Sequence, residues 1–69
     1  MTPRSHDLSD TERVVLQILA NDYTTSEGAV ELGMKHHTFR THVHNIHNKL
    51  HMRTNAGCVA KGMRRGLIA

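Results

Sequence analysis

Apolar residues recur at helical spacing along the chain, and capping signals mark where the helices begin. Ser9-Asp10-Thr11-Glu12 is a capping box, in which the serine hydroxyl and the glutamate carboxylate each bond the other residue's backbone N–H. The apolar residues that follow on one helical face are Val15, Leu16, Ile18 and Leu19. This pattern predicts a first helix over about residues 10–21, which Asn21-Asp22 can end because both residue types tolerate a left-handed conformation.

A second capping box, Thr24-Thr25-Ser26-Glu27, predicts a short second helix that ends at Gly33. A third helix is predicted from near His36 or His37 to about Leu50. Its core stripe consists of Phe39, Val43, Ile46 and Leu50. Because only about three residues separate the second and third helices, their spacing is that of a helix-turn-helix.

A fourth helix is predicted from Thr54 or Asn55 to Arg65. Gly57 and Gly62 lie inside it, and each weakens an isolated helix by about 1 kcal/mol relative to alanine. Close approach of another helix would compensate for this weakness. The sequence leaves open whether that helix belongs to the same chain or to a second copy.

The length of the chain allows one small domain. Its 69 residues bury a core that supplies only a few kcal/mol, so oligomerisation stays open. We predict an all-α domain over residues 8–69, preceded by a disordered stretch over residues 1–7. Cys58 is the single cysteine, which excludes an internal disulfide, and no apolar run reaches the roughly 20 residues that span a bilayer. We therefore expect a cytoplasmic protein that does not bind a membrane.

Charge is distributed unevenly between the two parts of the chain. All six acids lie in the first 31 residues, where Arg4 and Arg13 leave a balance of −4. Residues 32–69 carry seven lysines and arginines, no acid and six of the seven histidines. This split favours contact with nucleic acid, because neutralising phosphates releases counterions. The alternative is a basic surface that is merely solvated.

The histidines of the predicted third helix raise the question of a metal site. His47 and His51 stand four residues apart and could chelate a metal, with His44 as a third ligand. No Asp, Glu or Cys lies near them in the sequence, so we predict neither a metal site nor a cofactor. His42 borders the apolar stripe and is interpreted as a core histidine. No nucleophile, base and orienting group occur at a readable spacing, so we predict no catalytic residue and no enzyme.

The outward face of the third helix carries side chains that can read base edges. With a rotation of about 100° per residue, five polar side chains of this helix point away from the apolar stripe. They are Arg40, Thr41, His44, Asn45 and Asn48. Arginine bonds guanine, asparagine bonds adenine, and threonine and histidine bond several bases. A helix with this face, over about residues 37–50, is suited to the DNA major groove.

From Leu8 to Ile68 the chain resembles, without a gap, the LuxR-type (GerE-like) helix-turn-helix domain of bacterial transcription regulators. The family signature T-[VF]-[KR]-x-H-x-x-x-I-x-x-K-L matches residues 38–50, and the ending Arg64-Arg65-Gly66-Leu67-Ile68 also matches. The lysine-leucine pair and this ending favour the LuxR type over region 4 of sigma factors. The resemblance implies a four-helix bundle whose third helix enters the major groove. It also implies a two-fold dimer through the fourth helix on an inverted repeat.

The resemblance assigns roles to individual residues, and the outward face adds two more. Base contacts are expected from Arg40, Thr41 and His44, with Asn45 and Asn48 added by the outward face. Phosphate contacts are expected from Thr24, Thr25, Lys35, His36, His37, Thr38 and Lys49. The dimer contact is expected from Ala56, Val59, Ala60 and Met63. The predicted partners are therefore double-stranded DNA and a second copy of the chain.

Several positions depart from the family pattern, and three of them bear on stability and binding. Gly28 replaces an aliphatic core residue and should loosen the second helix, because a buried side chain is removed and backbone freedom is added. Lys35 replaces a serine cap that is commonly worth about 1 kcal/mol, and Asn55 replaces an arginine. We still predict a sequence-specific DNA-binding transcription regulator, free-standing, on the nucleoid and controlled by its abundance or by a regulatory protein. The departures keep open a degenerate helix-turn-helix that binds a regulator or the transcription machinery.

Overall fold

The computed structural model describes residues 8–69, and it contains four α-helices and no strand over that range. The helices are α1 (Asp10–Ala20), α2 (Thr25–Leu32), α3 (His36–Leu50) and α4 (Asn55–Arg64). The predicted all-α class is confirmed, and the predicted helix ends agree to within one residue. The disorder expected for residues 1–7 lies outside the described residues.

Both predicted capping boxes are present. The Ser9 hydroxyl accepts the Glu12 N–H at 3.1 Å, and Glu12 Oε1 accepts the Ser9 N–H at 2.8 Å. Thr24 and Glu27 repeat the arrangement at the same two distances. The backbone N–H and the hydroxyl of Thr24 hold the pKa of the Glu27 carboxyl below its ordinary value. The starts of α1 and α2 are therefore fixed by local sequence.

The ends of the helices use the left-handed region of the backbone. Asp22 and Gly33 adopt φ angles of 70° and 65° where the sequence predicted such turns. His51 ends α3 with a φ of 56°, which the sequence did not predict. Positive φ is uncommon for residues other than glycine, but histidine is among the types that adopt it more often. The chain thereby turns sharply between α3 and α4.

The hydrophobic core lies where α3 packs against the other three helices. All four residues of the predicted stripe are buried, and Phe39 and Leu50 have no exposed surface. The buried apolar residues are Leu8, Val15, Leu16, Ile18, Ala29, Phe39, Val43, Ile46, Leu50, Cys58 and Ile68. The inner face of α3 is thus the centre of the fold.

Gly28 does not leave a void in the core. A β-carbon at this position would lie 2.5 Å from Phe39 Cζ and 3.0 Å from Ile18 Cγ2, so the aromatic ring occupies the space of the missing side chain. The expectation that α2 is loosened by loss of a buried group is wrong in this respect. Glycine here permits close contact between α2 and the Phe39 ring, although the cost in backbone freedom remains.

The glycines of α4 differ in their surroundings. A β-carbon at Gly62 would lie 2.8 Å from Leu16 Cδ2, so α4 closely approaches α1 of the same chain at this point. A β-carbon at Gly57 would instead meet Thr54 Oγ1 at 3.1 Å, within the first turn of α4. Close packing within one chain therefore accounts for Gly62, and no neighbouring helix meets Gly57.

Two side chains join distant parts of the backbone. Lys61 Nζ donates to the Leu50 carbonyl at 2.7 Å and so satisfies an acceptor at the end of α3. Gln17 bonds both backbone groups of Ala69, through its Oε1 at 2.9 Å and its Nε2 at 2.7 Å. Over residues 8–69, the structure has no helix that is both long enough and apolar enough to cross a membrane.

Candidate nucleic-acid interface

The outer face of α3 is polar and open to solvent. All five side chains expected to contact bases are exposed, and they lie opposite the buried stripe. They are Arg40, Thr41, His44, Asn45 and Asn48. A groove of about 350 Å³ runs along this face and is lined by His37, Arg40, Thr41 and His44. Three of the five predicted base-reading residues therefore line one groove, and Asn45 and Asn48 are exposed on the same face of α3.

The Thr41 hydroxyl already donates a hydrogen bond within α3, which limits the hydrogen bonds that it can make to a base. Its hydroxyl donates to the His37 carbonyl of the preceding turn at 2.9 Å. This back-bonding uses the hydroxyl proton, so the oxygen can accept from a base amino group and the methyl group can contact thymine. Thr41 is thus suited to adenine, cytosine or thymine edges.

The starts of α2 and α3 lie together. His36 Nε2 is 3.1 Å from the Thr25 hydroxyl, a bond that joins the two helices across the turn. Lys35, at the N-cap of α3, makes no capping bond through its side chain, as expected from the loss of serine. The neighbouring His37 is exposed and Thr38 is half-buried. Most of the residues expected to contact phosphate therefore cluster at one end of the base-reading face.

Lys49 stands apart from that cluster. Its Nζ bonds Glu12 Oε1 at 2.7 Å, across 37 residues of sequence. Burial of Glu12 alone would raise the pKa of its carboxyl, but the Lys49 ammonium and the Ser9 backbone and hydroxyl outweigh burial and lower it. Glu12 is only 5% exposed, so Lys49 compensates a nearly buried charge. No local pattern in the sequence indicates this ion pair.

The histidines of α3 have separate environments. Among residues 8–69, no three His, Cys, Asp or Glu side chains are placed to share a metal ion. His42 is half-buried at the core margin, in agreement with its interpretation from the sequence. His47 Nε2 lies 2.8 Å from Asn55 Oδ1 and so joins α3 to α4. Sequence reasoning gave neither residue of this pair a role, because the bond depends on how α4 folds back.

A second groove adjoins the first. It has a volume of about 190 Å³ and shares Arg40 and His44 with the first groove. Its other lining residues are Thr25, Val43, His47 and Asn55. The base-reading surface is therefore continuous with the starts of α2 and α4.

The residues expected at a dimer contact lie on the outer face of α4. Ala56, Ala60 and Met63 are exposed, and Val59 is half-buried. Met63 exposes 47% of its surface. Cys58 faces inward, and burial raises the pKa of its thiol.

The fold and this surface define a helix-turn-helix DNA-binding domain. The helices α2 and α3 are joined by residues 33–35, and α3 presents polar side chains of the types that bond base edges. The family described as "Bacterial regulatory proteins, luxR family" (GerE) matches residues 6–63, and the chain belongs to this family. The resemblance inferred from the sequence is confirmed.

A solved structure supports the same assignment. The "Structure of Transcription factor, GerE" matches with a TM-score of 0.84 and 27% sequence identity, over 90% of this chain and 92% of that chain. No curated protein matches the chain. The family and fold are those of DNA-binding transcription regulators, not of enzymes.

Proposed function

We propose that this protein is a sequence-specific transcription regulator that inserts α3 into the DNA major groove and binds as a homodimer. The observation that carries the proposal is the row of five exposed polar side chains on the outer face of α3. Arg40 bonds guanine through two N–H groups, and Asn45 and Asn48 bond adenine. Thr41 and His44 complete the reading of the site.

Phosphate contacts position this helix in the groove. The contacts come from Thr24, Thr25, Lys35, His36, His37 and Thr38, at the starts of α2 and α3. Lys49 is left out of this set, because its ammonium bonds Glu12. These contacts hold the protein on DNA of any sequence, whereas the outer face of α3 selects the site.

Two copies meet through the outer faces of their α4 helices. Ala56 and Ala60 let two helices approach closely, and Val59 and Met63 supply apolar surface. A two-fold dimer requires two half-sites in inverted orientation, about one helical turn apart. A regulatory protein would control this domain by binding a surface that contacts neither DNA nor the second copy.

The experiment that tests this function is selection of bound sequences from a pool of random duplexes by the full chain. The expected result is an inverted repeat with defined bases at each half-site, because the dimer axis imposes its symmetry on the DNA. Recovery of unselected sequences would contradict sequence-specific reading. A single half-site without its repeat would contradict the dimer while leaving the reading helix in place.

The second candidate is a helix-turn-helix that has lost DNA binding and binds a regulator or the transcription machinery through α4. The exposed Met63 favours it, and so does the uncapped start of α3 at Lys35. Gly28 no longer supports it, because the Phe39 ring fills the space beside that glycine. A gel-shift series on random DNA over a range of salt separates the two functions, since a steep salt dependence belongs to the DNA binder.

A further inference from the structure

The hydrogen bond between His47 and Asn55 leaves N–H donors that can bind DNA. The imidazole Nε2 lies 2.8 Å from Asn55 Oδ1, with the two residues eight positions apart on α3 and α4. Asn55 is exposed and His47 is half-buried. When Nε2–H donates to Oδ1, the NH₂ group of the same amide keeps two unused donors. An exposed pair of N–H donors suits an anionic oxygen.

The position of Asn55 relative to the base-reading surface supports a DNA contact. Asn55 and Thr25 both line the groove that contains Arg40 and His44. Thr25 belongs to the proposed phosphate contacts, at the start of α2. Asn55 occupies the corresponding place at the start of α4. Because the major groove has a phosphate backbone on each side, a helix that enters it meets phosphates through flanking residues of this kind.

We infer that His47 orients the side-chain amide of Asn55 so that its NH₂ group donates to a DNA phosphate. This inference rests on the proposed function and adds a contact on α4 to the phosphate surface. His47 is a positioning residue in this account, since it acts through Asn55. Asn55 is the residue that touches DNA.

Protonation of His47 strengthens the arrangement. A protonated imidazole carries N–H groups on both nitrogens, so Nε2 can only donate and Asn55 must present its NH₂ group to solvent. A neutral ring can accept through Nε2, and the amide can then rotate to present its oxygen, which repels phosphate. The charged and titratable groups in the groove are Arg40, His44 and His47, all on α3, whereas α2 and α4 contribute Thr25 and Asn55.

The experiment uses the full chain and a duplex of random sequence, so that no operator needs to be known. Binding is measured by fluorescence anisotropy at pH 6 over a series of salt concentrations, and thermal melting confirms that each variant is folded. The variants are Asn55→Ala, His47→Ala and His47→Gln, with His51→Asn as the matched control. Glutamine places an amide nitrogen near the position of Nε2, and asparagine tolerates the left-handed backbone at His51.

The expected result is that Asn55→Ala weakens binding about tenfold at pH 6, as is usual for loss of a hydrogen bond to a charged group. The slope of affinity against salt should not change in this variant, because a neutral amide releases no counterion. His47→Ala should weaken binding less than Asn55→Ala, and His47→Gln should recover most of that loss. The His51→Asn control should bind as the unmodified protein does.

Two results overturn the inference. One is that Asn55→Ala binds random duplex as tightly as the unmodified protein at pH 6. The other is that His47→Gln is as weak as His47→Ala although both are folded. If the unmodified protein itself shows no salt-dependent binding to duplex DNA, the proposed function fails first, which is a distinguishable outcome.

Discussion

The two faces of α3 differ in polarity and in proposed role, and almost no residue belongs to both. The inner face is apolar, and Phe39, Val43, Ile46 and Leu50 are buried against the other three helices. The outer face is polar and exposed, from Arg40 to Asn48. One helix thus contributes the centre of the core and the proposed reading surface. The difference implies that stability and recognition can be changed separately.

The largest effect is expected on the inner face. Phe39→Ala should destabilise the fold by about 3 to 5 kcal/mol, because it removes a fully buried ring and leaves a cavity. A 69-residue domain has little stability in reserve, so the variant should be largely unfolded at room temperature. Urea denaturation followed by circular dichroism measures this. Asn45→Ala, on the outer face of the same helix, serves as the control and should shift the unfolding midpoint only slightly.

A variant that remains folded despite Phe39→Ala would mean that the contact between Phe39 and Gly28 is not central to the core. That result would contradict the claim that the inner face of α3 is the centre of the fold.

A smaller effect is expected where α3 pairs with α1. Lys49→Met should destabilise the fold by about 1 to 3 kcal/mol, since it leaves the nearly buried Glu12 carboxylate without its partner cation. Lys35→Met is the matched control, because Lys35 is exposed and makes no capping bond. Denaturant unfolding of both variants at pH 7 measures the difference.

The same pair sets a dependence on pH. The pKa of Glu12 lies below its ordinary value of 4.5, so the folded state binds this proton less readily than the unfolded chain does. Its contribution to stability is therefore present above about pH 4.5 and is lost as the pH falls through the lowered pKa of the folded state. The gap between the unmodified protein and Lys49→Met should narrow in acid. A gap that is constant from pH 7 to pH 3 would contradict the ion pair.

The sequence predicted those features that depend on residues close together in the chain. The capping boxes at Ser9 and Thr24 and the stripe through Phe39 each involve residues within a few turns of one helix, so spacing alone indicates them. The outward set on α3 followed from the same periodicity. The reading face was therefore predictable, and its residues stay predictions until DNA binding is measured.

Most of the features that the sequence did not reveal involve contacts between helices. Lys49 bonds Glu12, His47 bonds Asn55, and Phe39 occupies the space beside Gly28. Each depends on the angle and distance at which two helices pack, which no local pattern encodes. The sequence therefore predicts a phosphate contact for Lys49 and a loosened α2 at Gly28, because it does not indicate these packing contacts.

The central claim is that the outer face of α3 reads DNA sequence without contributing to the core. The most direct test is Arg40→Ala, measured for binding to the sequence selected from the random pool and to an unselected duplex, with Arg13→Ala on α1 as the control. The account predicts a loss of about 1 to 3 kcal/mol on the selected site, a smaller loss on the unselected duplex, and an unchanged melting temperature. Equal losses on the two duplexes would contradict it.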